Sequence, residues 1–400
     1  GAVSSPRIFR RLWKDAIRRL SQRAAYRDAA ALAALSRAWR APAWTEPPVR
    51  PAIAEEHVLA LGSGAVAVFP GKQAGNRPLV LVASPYQPFP LSHGGAVRIY
   101  NLMRRVVADC DQVLVAFVED LAPPPPELRE ICSEIVLVRR QRSHLRRATR
   151  RPDVVEEFCS AAFAGALRQT VRKWRPVIAQ LEFTQLAQYA ADCAPAKTIL
   201  VEHDVTFDLC EQLLRLNDDW DLRHEYPRWR AFETAAWRAV DCVVTMSEKD
   251  RRMVQGARAE CLPNGVDLVR FRPVGREPEP ARLLFIGSFA HLPNLLAVEF
   301  FLREIWPRLQ HLNPTLHIIA GARHRSYVTQ HSDRVRVDLD QPGLEVEDFV
   351  SDVRPAYERA AVVIAPLVAS AGTNIKILEA MAMGKAIVST PAGINGLDLE

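Results

Sequence analysis

The feature that most constrains the fold is an alternation of short apolar runs with helical patterns, which occurs twice along the chain. Such alternation is typical of parallel sheets that helices cover on both faces. The candidate strands are residues 79–83, 113–118, 135–138, 177–182, 198–201 and 242–246 in the first half, and 283–287, 316–320, 335–337, 362–365 and 386–389 in the second. A long helix is expected over 293–312. The pattern predicts an α/β protein with two Rossmann-like, doubly wound domains.

A proline-rich stretch with an Asn-Gly turn and little periodicity separates the two halves and is typical of a linker. We divide the chain into an N-terminal extension (1–76), a first Rossmann-like domain (77–265), a linker (266–281) and a second Rossmann-like domain (282–400). Few residues follow the last predicted strand, so the second domain is expected to be incomplete and the C-terminus truncated. Because ligands of such sheets bind beyond the carboxyl ends of strands, we expect the functional site in the cleft between the domains.

The N-terminal extension carries most of the positive charge of the chain. The net charge is +6, and residues 1–50 hold eleven Arg and Lys against three acidic residues. Within residues 8–20, apolar side chains recur at helical spacing and basic ones lie largely on the other side. A helix of this kind either packs on its own protein or lies on an anionic membrane surface. Residues 58–61 and 65–69 predict a hairpin.

Composition narrows the classes of function. Apolar residues make up 48% of the chain and charged residues 24%, the balance of a globular protein. No apolar stretch of about 18 residues occurs, and the opening lacks the apolar core of a secretory signal, so a cytoplasmic location is expected. The seven cysteines lack the spacing of a zinc site, so no metal is expected. No nucleic-acid module appears, so nucleic acid is not expected as a partner.

The strongest functional signal follows the fourth predicted strand of the second half. Gly372 allows the backbone to approach a ligand, and Thr373 is a favoured N-cap, so a helix with free N–H groups is expected to start there. Such a helix start suits a diphosphate. Lys376 lies in the first turn, where a cation is unfavourable unless an anion compensates it, and Glu379 lies within reach of vicinal sugar hydroxyls. A capped helix with solvated Lys and Glu side chains would show the same pattern.

The run Gly-Thr-Asn-Ile-Lys-Ile-Leu-Glu, which starts at residue 372, resembles the donor-site motif of the retaining glycosyltransferases of family 4, the group 1 enzymes with the GT-B fold. Three other segments resemble the same family: 285–294 its first C-domain strand and turn, 262–267 the start of its linker, and 92–96 its N-terminal glycine loop. The resemblance covers roughly residues 77–400. It implies transfer of a hexosyl group from a nucleotide-diphosphate sugar to an acceptor hydroxyl, with retention and with no metal or other cofactor.

Position by position, the resemblance assigns roles in both domains. Glu379 would bind the donor ribose, Lys376 the diphosphate, and His203, at a strand end, would lie near the transferred sugar; these three are the catalytic candidates. Glu182 and Glu202, also at strand ends, are further acceptor-side candidates. The other predicted donor-binding residues are Gly94, Gly95, Gly287, Ser288, Asn294, Arg323, Gly372, Thr373 and Asn374.

The chain departs from the family pattern in two places. Many members carry a first glutamate near the transferred sugar, eight residues before the second, where this chain has Ala371. Many also place an Arg and a Lys after the first strand of the C-terminal domain. There this chain has Ser288, His291 and Asn294. Sugar recognition is then expected to depend on backbone groups or other side chains. Lys376, helped by Arg323, is expected to balance the charge of the phosphates.

Two other functions are compatible with these residues. A GT-B-fold sugar-nucleotide epimerase would need no separate acceptor. A non-catalytic module would bind the nucleotide sugar without turnover. The presence of Ala371 in place of the usual glutamate is compatible with such a module. By the family resemblance the partners would be a nucleotide-sugar donor and a saccharide or lipid-linked acceptor, in surface polysaccharide or glycolipid synthesis. Residues 8–20 would add a peripheral contact with the inner face of the membrane.

Overall fold

The structure, a computed structural model, describes residues 64–140, 150–217 and 219–397, and within these ranges it contains two β-sheets. The strands of the first sheet are β1 (Val66–Pro70), β2 (Leu79–Ser84), β3 (Asp111–Val118), β4 (Glu134–Arg139), β5 (Ile178–Glu182), β6 (Lys197–Glu202), β7 (Cys242–Thr245) and β8 (Ala259–Cys261). The strands of the second sheet are β9 (Arg282–Ile286), β10 (Thr315–Ile319), β11 (Leu344–Glu347), β12 (Val362–Ala365) and β13 (Ala386–Ser389). The predicted helix within 8–20 and the predicted strand 58–61 lie outside the described residues.

The strand orders place a crevice at the carboxyl ends of the central strands. In the described ranges the first sheet has the order β1-β4-β3-β2-β5-β6-β7-β8, and the second has the order β11-β10-β9-β12-β13. All neighbouring strands are parallel except β1 and β4. The order reverses beside β2 in the first sheet and beside β9 in the second, and ligands bind at such switch points. The predicted pair of Rossmann-like sheets is therefore confirmed.

Helices cover both faces of each sheet. The α-helices of the described residues are α1 (Gly94–Arg105), α2 (Pro126–Ile131), α3 (Asp153–Glu157), α4 (Ala161–Trp174), α5 (Thr206–Leu216), α6 (Trp220–Arg238), α7 (Glu248–Met253), α8 (Leu292–Phe300), α9 (Trp306–Leu309), α10 (His324–Gln330), α11 (Arg354–Arg359) and α12 (Ile375–Ala382). Successive residues of a central strand belong to different core clusters. In β2 this holds for Leu81 and Val82, and in β9 for Leu284 and Phe285. Both faces of each sheet are therefore buried. No helix in the described part of the chain combines the length and apolar character needed to cross a membrane.

The predicted strand 335–337 is wrong. Val335 lies in a loop, and its buried side chain packs into the core of the second domain beside Leu339. The strand that pairs with β10 at this edge is β11, whose Leu-Glu-Val-Glu sequence alternates between half-buried and exposed side chains. The two valines of the Val-Arg-Val segment at 335–337 pack from a loop against the core of the second domain, whereas the alternating sequence of β11 is the pattern of an edge strand.

The first sheet begins before residue 77, where the sequence analysis places the start of the first domain. Residues 65–69, predicted as the second hairpin strand, coincide closely with β1, which pairs antiparallel with β4 from Val66 opposite Val138 to Pro70 opposite Glu134. An antiparallel strand at the edge of an otherwise parallel sheet is common in this fold class. Part of the predicted extension is therefore a strand of the first domain.

The long helix predicted over 293–312 is confirmed, but its winding changes partway. A π-helical turn, Phe301–Ile305, joins α8 to α9, and a short 3-10 turn, Gln310–Leu312, ends the run. In the π turn the N–H of Trp306 donates to the carbonyl of Phe301. Pro307 lacks an N–H and its ring would collide with a carbonyl of the preceding α-helical turn. The wider turn removes that collision and keeps the helical direction.

A buried carboxyl behind β6 gives the fold a pH-dependent stability. Glu202 is fully buried and accepts hydrogen bonds from the Thr184 hydroxyl and from Trp237 Nε1, the latter at 2.9 Å. Burial raises the pKa of Glu202 to about 7, and the nearby carboxyl of Glu233, whose pKa is also raised, disfavours a second charge. Since the folded pKa lies above the unfolded one, stability is full below pH 4.5 and falls as the pH rises toward 7.

Glu202→Gln is therefore expected to be more stable than the unaltered protein at pH 8, by on the order of 1–3 kcal/mol. The difference should disappear at pH values well below 4.5, where the carboxyl is neutral in both states. Thermal unfolding followed by circular dichroism across this pH range measures it. Glu260→Gln, which removes an exposed carboxylate from β8, is the matched control and should show no such trend. A constant offset between Glu202→Gln and the unaltered protein at all pH values would contradict the assignment.

Candidate active site

The two domains meet where two glycine-containing turns face each other. Helix α1 starts at Gly94, after β2, and α12 starts at Ile375, after β12. Both starts therefore lie at carboxyl ends of parallel strands. A β-carbon at Gly94 would lie 3.3 Å from Ile375 Cδ1. The positive ends of two helix dipoles thus approach each other, which favours an anion between them.

Gly372 permits this close approach from the second domain. Its φ is +61°, a region that favours glycine, and a β-carbon there would overlap Asp204 Oδ1 and lie 2.6 Å from the carbonyl oxygen of His203. Both of these residues follow β6 in the first domain. The turn after β12 therefore contacts the end of β6 directly.

Helix α12 starts one residue later than the sequence predicts. The residue in the N-cap position is Asn374, and its side chain caps no helix N–H; instead Nδ2 donates to Gly393 O at 2.8 Å and to Ser370 Oγ at 3.1 Å. The hydroxyl of Thr373 donates to the carbonyl of Met246 in the first domain at 3.4 Å. Both side chains therefore fix the turn itself. Within the described part of the chain, the backbone N–H of Lys376 has no acceptor and is free for a ligand.

Lys376 lies inside the second domain, next to the start of α12. Its Nζ donates to Asn294 Oδ1 at 2.8 Å and lies 4.9 Å from the centroid of the Phe285 ring. Asn294 is oriented in turn by its Nδ2, which donates to Ser288 O at 3.0 Å. Burial lowers the pKa of Lys376 to about 7, although Glu379 opposes this shift. An ammonium that is held in place and weakly hydrated suits binding of a multiply charged anion.

Glu379 lies one turn further along α12. Its Oε2 accepts a hydrogen bond from the Tyr357 hydroxyl at 2.9 Å. Burial raises the pKa of Glu379 to about 7, against the opposing effects of Tyr357, Arg270 and Lys376. The cation and the carboxyl are therefore placed on one helix by sequence spacing and oriented by side chains of β9, α8 and α11.

On the first domain, an aromatic and ionisable cluster faces the cleft. His203 Nε2 lies 2.6 Å from Glu182 Oε2, and the His203 ring stacks on Phe183 with centroids 3.8 Å apart and planes 4° from parallel. The backbone of Phe183 has a φ of +68°, which is unfavourable for a bulky residue. Such strain is often found at functional sites, and here it brings the ring onto the imidazole. Glu182 therefore orients a buried histidine at a strand end.

Glu202, the other strand-end carboxyl, differs from Glu182. Its oxygens are bonded inside the first domain to Thr184 and Trp237. It has no exposed surface. The prediction that Glu202 faces an acceptor is therefore corrected, since these partners hold its carboxyl in the core.

Tyr86 and His93 complete the first-domain wall. Their rings meet edge to face at 4.5 Å, and a β-carbon at Gly95 would overlap Tyr86 Oη and lie 2.8 Å from Phe183 Cζ. Gly95 therefore makes room for aromatic packing. Burial, with a smaller effect of His203, lowers the pKa of His93 to about 4, so its imidazole is neutral at pH 7.

The remaining predicted donor residues surround the end of β9. A β-carbon at Gly287 would lie 2.7 Å from the Asn294 side chain, and the Ser288 hydroxyl lies against Gly321. Arg323 occupies the N-cap position before α10 with a φ of +58°, and its side chain is exposed. The structure thus brings Gly287, Ser288 and Asn294 together around Lys376, whereas Arg323 lies at the rim.

Three cleft residues are absent from the sequence-based site. His291 keeps a well exposed side chain, yet the surrounding protein lowers its pKa, with Lys376 acting in the same direction and Asp204 opposing it. Charges of both domains therefore act on the imidazole of His291. The only sequence signal for a site role of Asp204 is its place directly after His203. No sequence signal marks Tyr86.

Hydrogen bonds and ion pairs join the domains around the cleft. Gln212 and Ser370 exchange two hydrogen bonds of 3.1 Å, and Arg334 reaches Asp221 at 2.9 Å. Arg98 of α1 donates to the segment that leads into the linker, including Asn264 Oδ1 at 2.9 Å. Among the described residues no cluster of three or more His, Cys, Asp or Glu is arranged for a metal ion.

Comparisons with known proteins agree with this architecture. Residues 92–270 match the family model for Glycosyltransferase Family 4, and residues 280–398 match the model for Glycosyl transferases group 1. No curated protein matches the chain in a sequence search.

Solved structures share the fold at low sequence identity. Sucrose-phosphate synthase from Thermosynechococcus elongatus is 14% identical with a TM-score of 0.60, over 81% of this chain and 83% of that chain. Anabaena Alr3699/HepE in complex with UDP and glucose is 14% identical with a TM-score of 0.54, over 79% and 82% of the two chains. A glycosyltransferase from Rickettsia africae is 13% identical with a TM-score of 0.51, over 80% and 81%. With glycosyltransferase models matching both domains and a fold that these structures share, the chain is a glycosyltransferase of the GT-B type.

Proposed function

We propose that this enzyme transfers a hexosyl group from a nucleotide-diphosphate sugar to an acceptor hydroxyl, with retention of configuration and without a metal ion. The observation that carries the proposal is the ammonium of Lys376, fixed by Asn294 at the free start of α12, where the two domains meet. A second charged group, Glu379, lies one turn away. This arrangement supplies a cation for the diphosphate and an acceptor for ribose hydroxyls.

In this proposal the donor diphosphate lies against the first turn of α12. The backbone N–H of Lys376 and its ammonium bind phosphate oxygens, while Gly94 lets the start of α1 approach from the other side. Gly372, Thr373 and Asn374 shape the turn. Arg323 contributes charge from the rim. As the bond to the sugar breaks, negative charge grows on the diphosphate, and these groups stabilise it by several kcal/mol, roughly as an oxyanion site does.

The acceptor is held by the first domain. Glu182 orients His203 beside the stacked Phe183, at the end of β6 that meets Gly372. We assign His203 to the neighbourhood of the transferred sugar, where it contacts the attacking hydroxyl or the sugar. The contacts between Gln212 and Ser370 close the cleft, which excludes water and favours transfer over hydrolysis.

The direct test is a thermal-shift screen with UDP-, GDP- and ADP-sugars, followed by product analysis with labelled donor and candidate acceptors. UDP-sugars come first, because the Anabaena structures hold UDP and UDP-glucose. A bound donor at about 100 times its Kd should raise the melting temperature by about 3 °C. Epimerised donor without transfer, or donor binding without turnover in the presence of acceptors, would contradict the proposal.

Glu379→Gln is expected to weaken binding of UDP or its cognate diphosphate about tenfold and to leave inorganic pyrophosphate unaffected, because a carboxylate accepts ribose hydroxyls better than an amide does. The raised pKa of about 7 makes the effect larger at pH 8 than at pH 6, where the Glu379 carboxyl is already largely neutral. Calorimetry measures both ligands. Tyr357→Phe, which removes the hydroxyl that orients Glu379, should show the same selectivity more weakly. Equal losses for both ligands would exclude the ribose role.

We further propose that the acceptor is a saccharide or lipid-linked saccharide of a surface polysaccharide or glycolipid, and that residues 8–20 contact the inner face of the membrane. The basic and apolar pattern of this segment supports the contact. Sedimentation with anionic vesicles tests it. Binding should be lost in an Arg18→Glu, Arg19→Glu variant, and absence of binding by the unaltered protein at low salt would overturn it.

A further inference from the structure

Two polar groups at the junction of the domains lack partners. Asp204, which follows His203 at the end of β6, is half-buried, yet no described residue donates a hydrogen bond to its carboxylate or pairs with it. The hydroxyl of Tyr86 is buried and likewise has no partner in the described ranges. Buried polar groups are normally bonded, so an unbonded buried hydroxyl and an unpaired, half-buried carboxylate in one cleft point to a ligand.

Both groups border the proposed donor site. The Asp204 carboxylate lies against Gly372, close enough that a β-carbon there would overlap it, and Tyr86 packs against Gly95 at the start of α1. Asp204 also raises the pKa of His291, which Lys376 lowers, so the carboxylate and the ammonium act on the same imidazole from the two domains. The Asp204 carboxylate therefore lies beside the diphosphate position and outside the bonds that hold Lys376.

The chemistry of a carboxylate at this place restricts its ligand. A second anion beside a diphosphate is repelled, so Asp204 does not serve the phosphates. Neutral hydroxyl groups, by contrast, donate well to a carboxylate, which accepts from two at once. The second domain offers no carboxylate at its own turn, where Ser370 and Ala371 precede Gly372. The donor part that carries adjacent hydroxyls and lies next to the diphosphate is the hexosyl group.

We propose that Asp204 of the first domain accepts hydrogen bonds from hydroxyls of the donor's hexosyl group, and that Tyr86 provides a second hydroxyl contact there. The inference rests on the proposed function and adds to it a specificity-determining residue. Because Lys376 and Asp204 belong to different domains, the diphosphate is bound by the second domain, while the sugar is recognised only when the cleft is closed.

The test compares each sugar nucleotide with its own diphosphate: UDP-glucose with UDP, GDP-mannose with GDP, and ADP-glucose with ADP. Calorimetry gives the affinities of the unaltered protein and of Asp204→Asn, which keeps the shape of the side chain beside Gly372. For the pair that binds, Asp204→Asn should weaken binding of the sugar nucleotide by about 10- to 100-fold. The affinity for the diphosphate should stay unchanged or increase. Tyr86→Phe should weaken the sugar nucleotide several-fold in the same way.

Controls separate this inference from the proposed function. Asp241, the residue before β7, pairs with Lys197. Asp241→Asn removes this carboxylate and should change the affinity for neither ligand. Unchanged thermal unfolding of unliganded Asp204→Asn should show that the fold is kept. If no diphosphate binds the unaltered protein, the proposed function fails. If the diphosphate binds but Asp204→Asn weakens both ligands equally, or neither, the sugar-recognising role of Asp204 is overturned.

Discussion

Lys376→Ala is expected to weaken binding of the cognate nucleoside diphosphate by about 10- to 100-fold, the effect of a charge-assisted hydrogen bond. The variant removes an ammonium that Asn294 holds at the start of α12. Calorimetry with the diphosphate measures the loss. Lys385→Ala is the matched control, since Lys385 also has a lowered pKa and donates to two carbonyls, of Glu358 and Ala360, but follows α12 at its other end. Equal affinities of Lys376→Ala and the unaltered protein would defeat the diphosphate assignment.

The same lysine predicts a pH dependence. Burial lowers the pKa of Lys376 to about 7, so above this pH the free enzyme increasingly holds a neutral amine. Binding of a diphosphate restores the charge, which requires uptake of a proton. Affinity should therefore fall as the pH rises from 7 to 9, by at most about tenfold per unit, and calorimetry in buffers of different ionisation enthalpy should detect the proton. The fall should be absent in Lys376→Ala, where only the opposing ionisation of Glu379 remains.

Gly372→Ala is expected to lower kcat/KM by about 100-fold, because a shift of about 1 Å at a reacting geometry has an effect of that size. The added methyl would overlap Asp204 Oδ1 and lie 2.6 Å from the carbonyl of His203, so the turn and the end of β6 must separate. Initial-rate kinetics with the identified donor measure the effect.

Gly275→Ala separates this steric effect from backbone strain. Gly275 has a φ of +72° in the linker, similar to Gly372, but a β-carbon there would meet no atom within 4 Å. Its variant should be slightly destabilised and retain most of its activity. If the two variants lose activity equally, contact between Gly372 and the first domain is not what maintains the active geometry.

Most of the fold can be predicted from local sequence, because strands that are buried on both faces must be apolar. The predicted strands 362–365 and 386–389 have the same bounds as β12 and β13. The same rule fails at 335–337, where Val335 lies in a loop and is buried in the core of the second domain. Apolar character predicts burial, while strand pairing depends on partners far along the chain.

The candidate site can be predicted from sequence only where its residues lie on a single helix or turn. Spacing placed Lys376 and Glu379 on one helix, and their surroundings support the proposed roles. The N-cap was misplaced by one residue, because Thr373 bonds across the cleft to Met246, a partner distant in sequence. The only local signal for Asp204 is its place directly after His203. Its position against Gly372 depends on how two domains meet, which no local pattern contains.

The approach of the starts of α1 and α12 has a consequence for turnover. Gly94 and Ile375 bring two like poles of helix dipoles together, so an empty junction is electrostatically unfavourable and an anion stabilises it. Once the sugar has left, the nucleoside diphosphate carries more negative charge than the sugar nucleotide did. The two helix starts therefore attract the released diphosphate more strongly than they attract the diphosphate group of the intact donor, and added salt should accelerate its release.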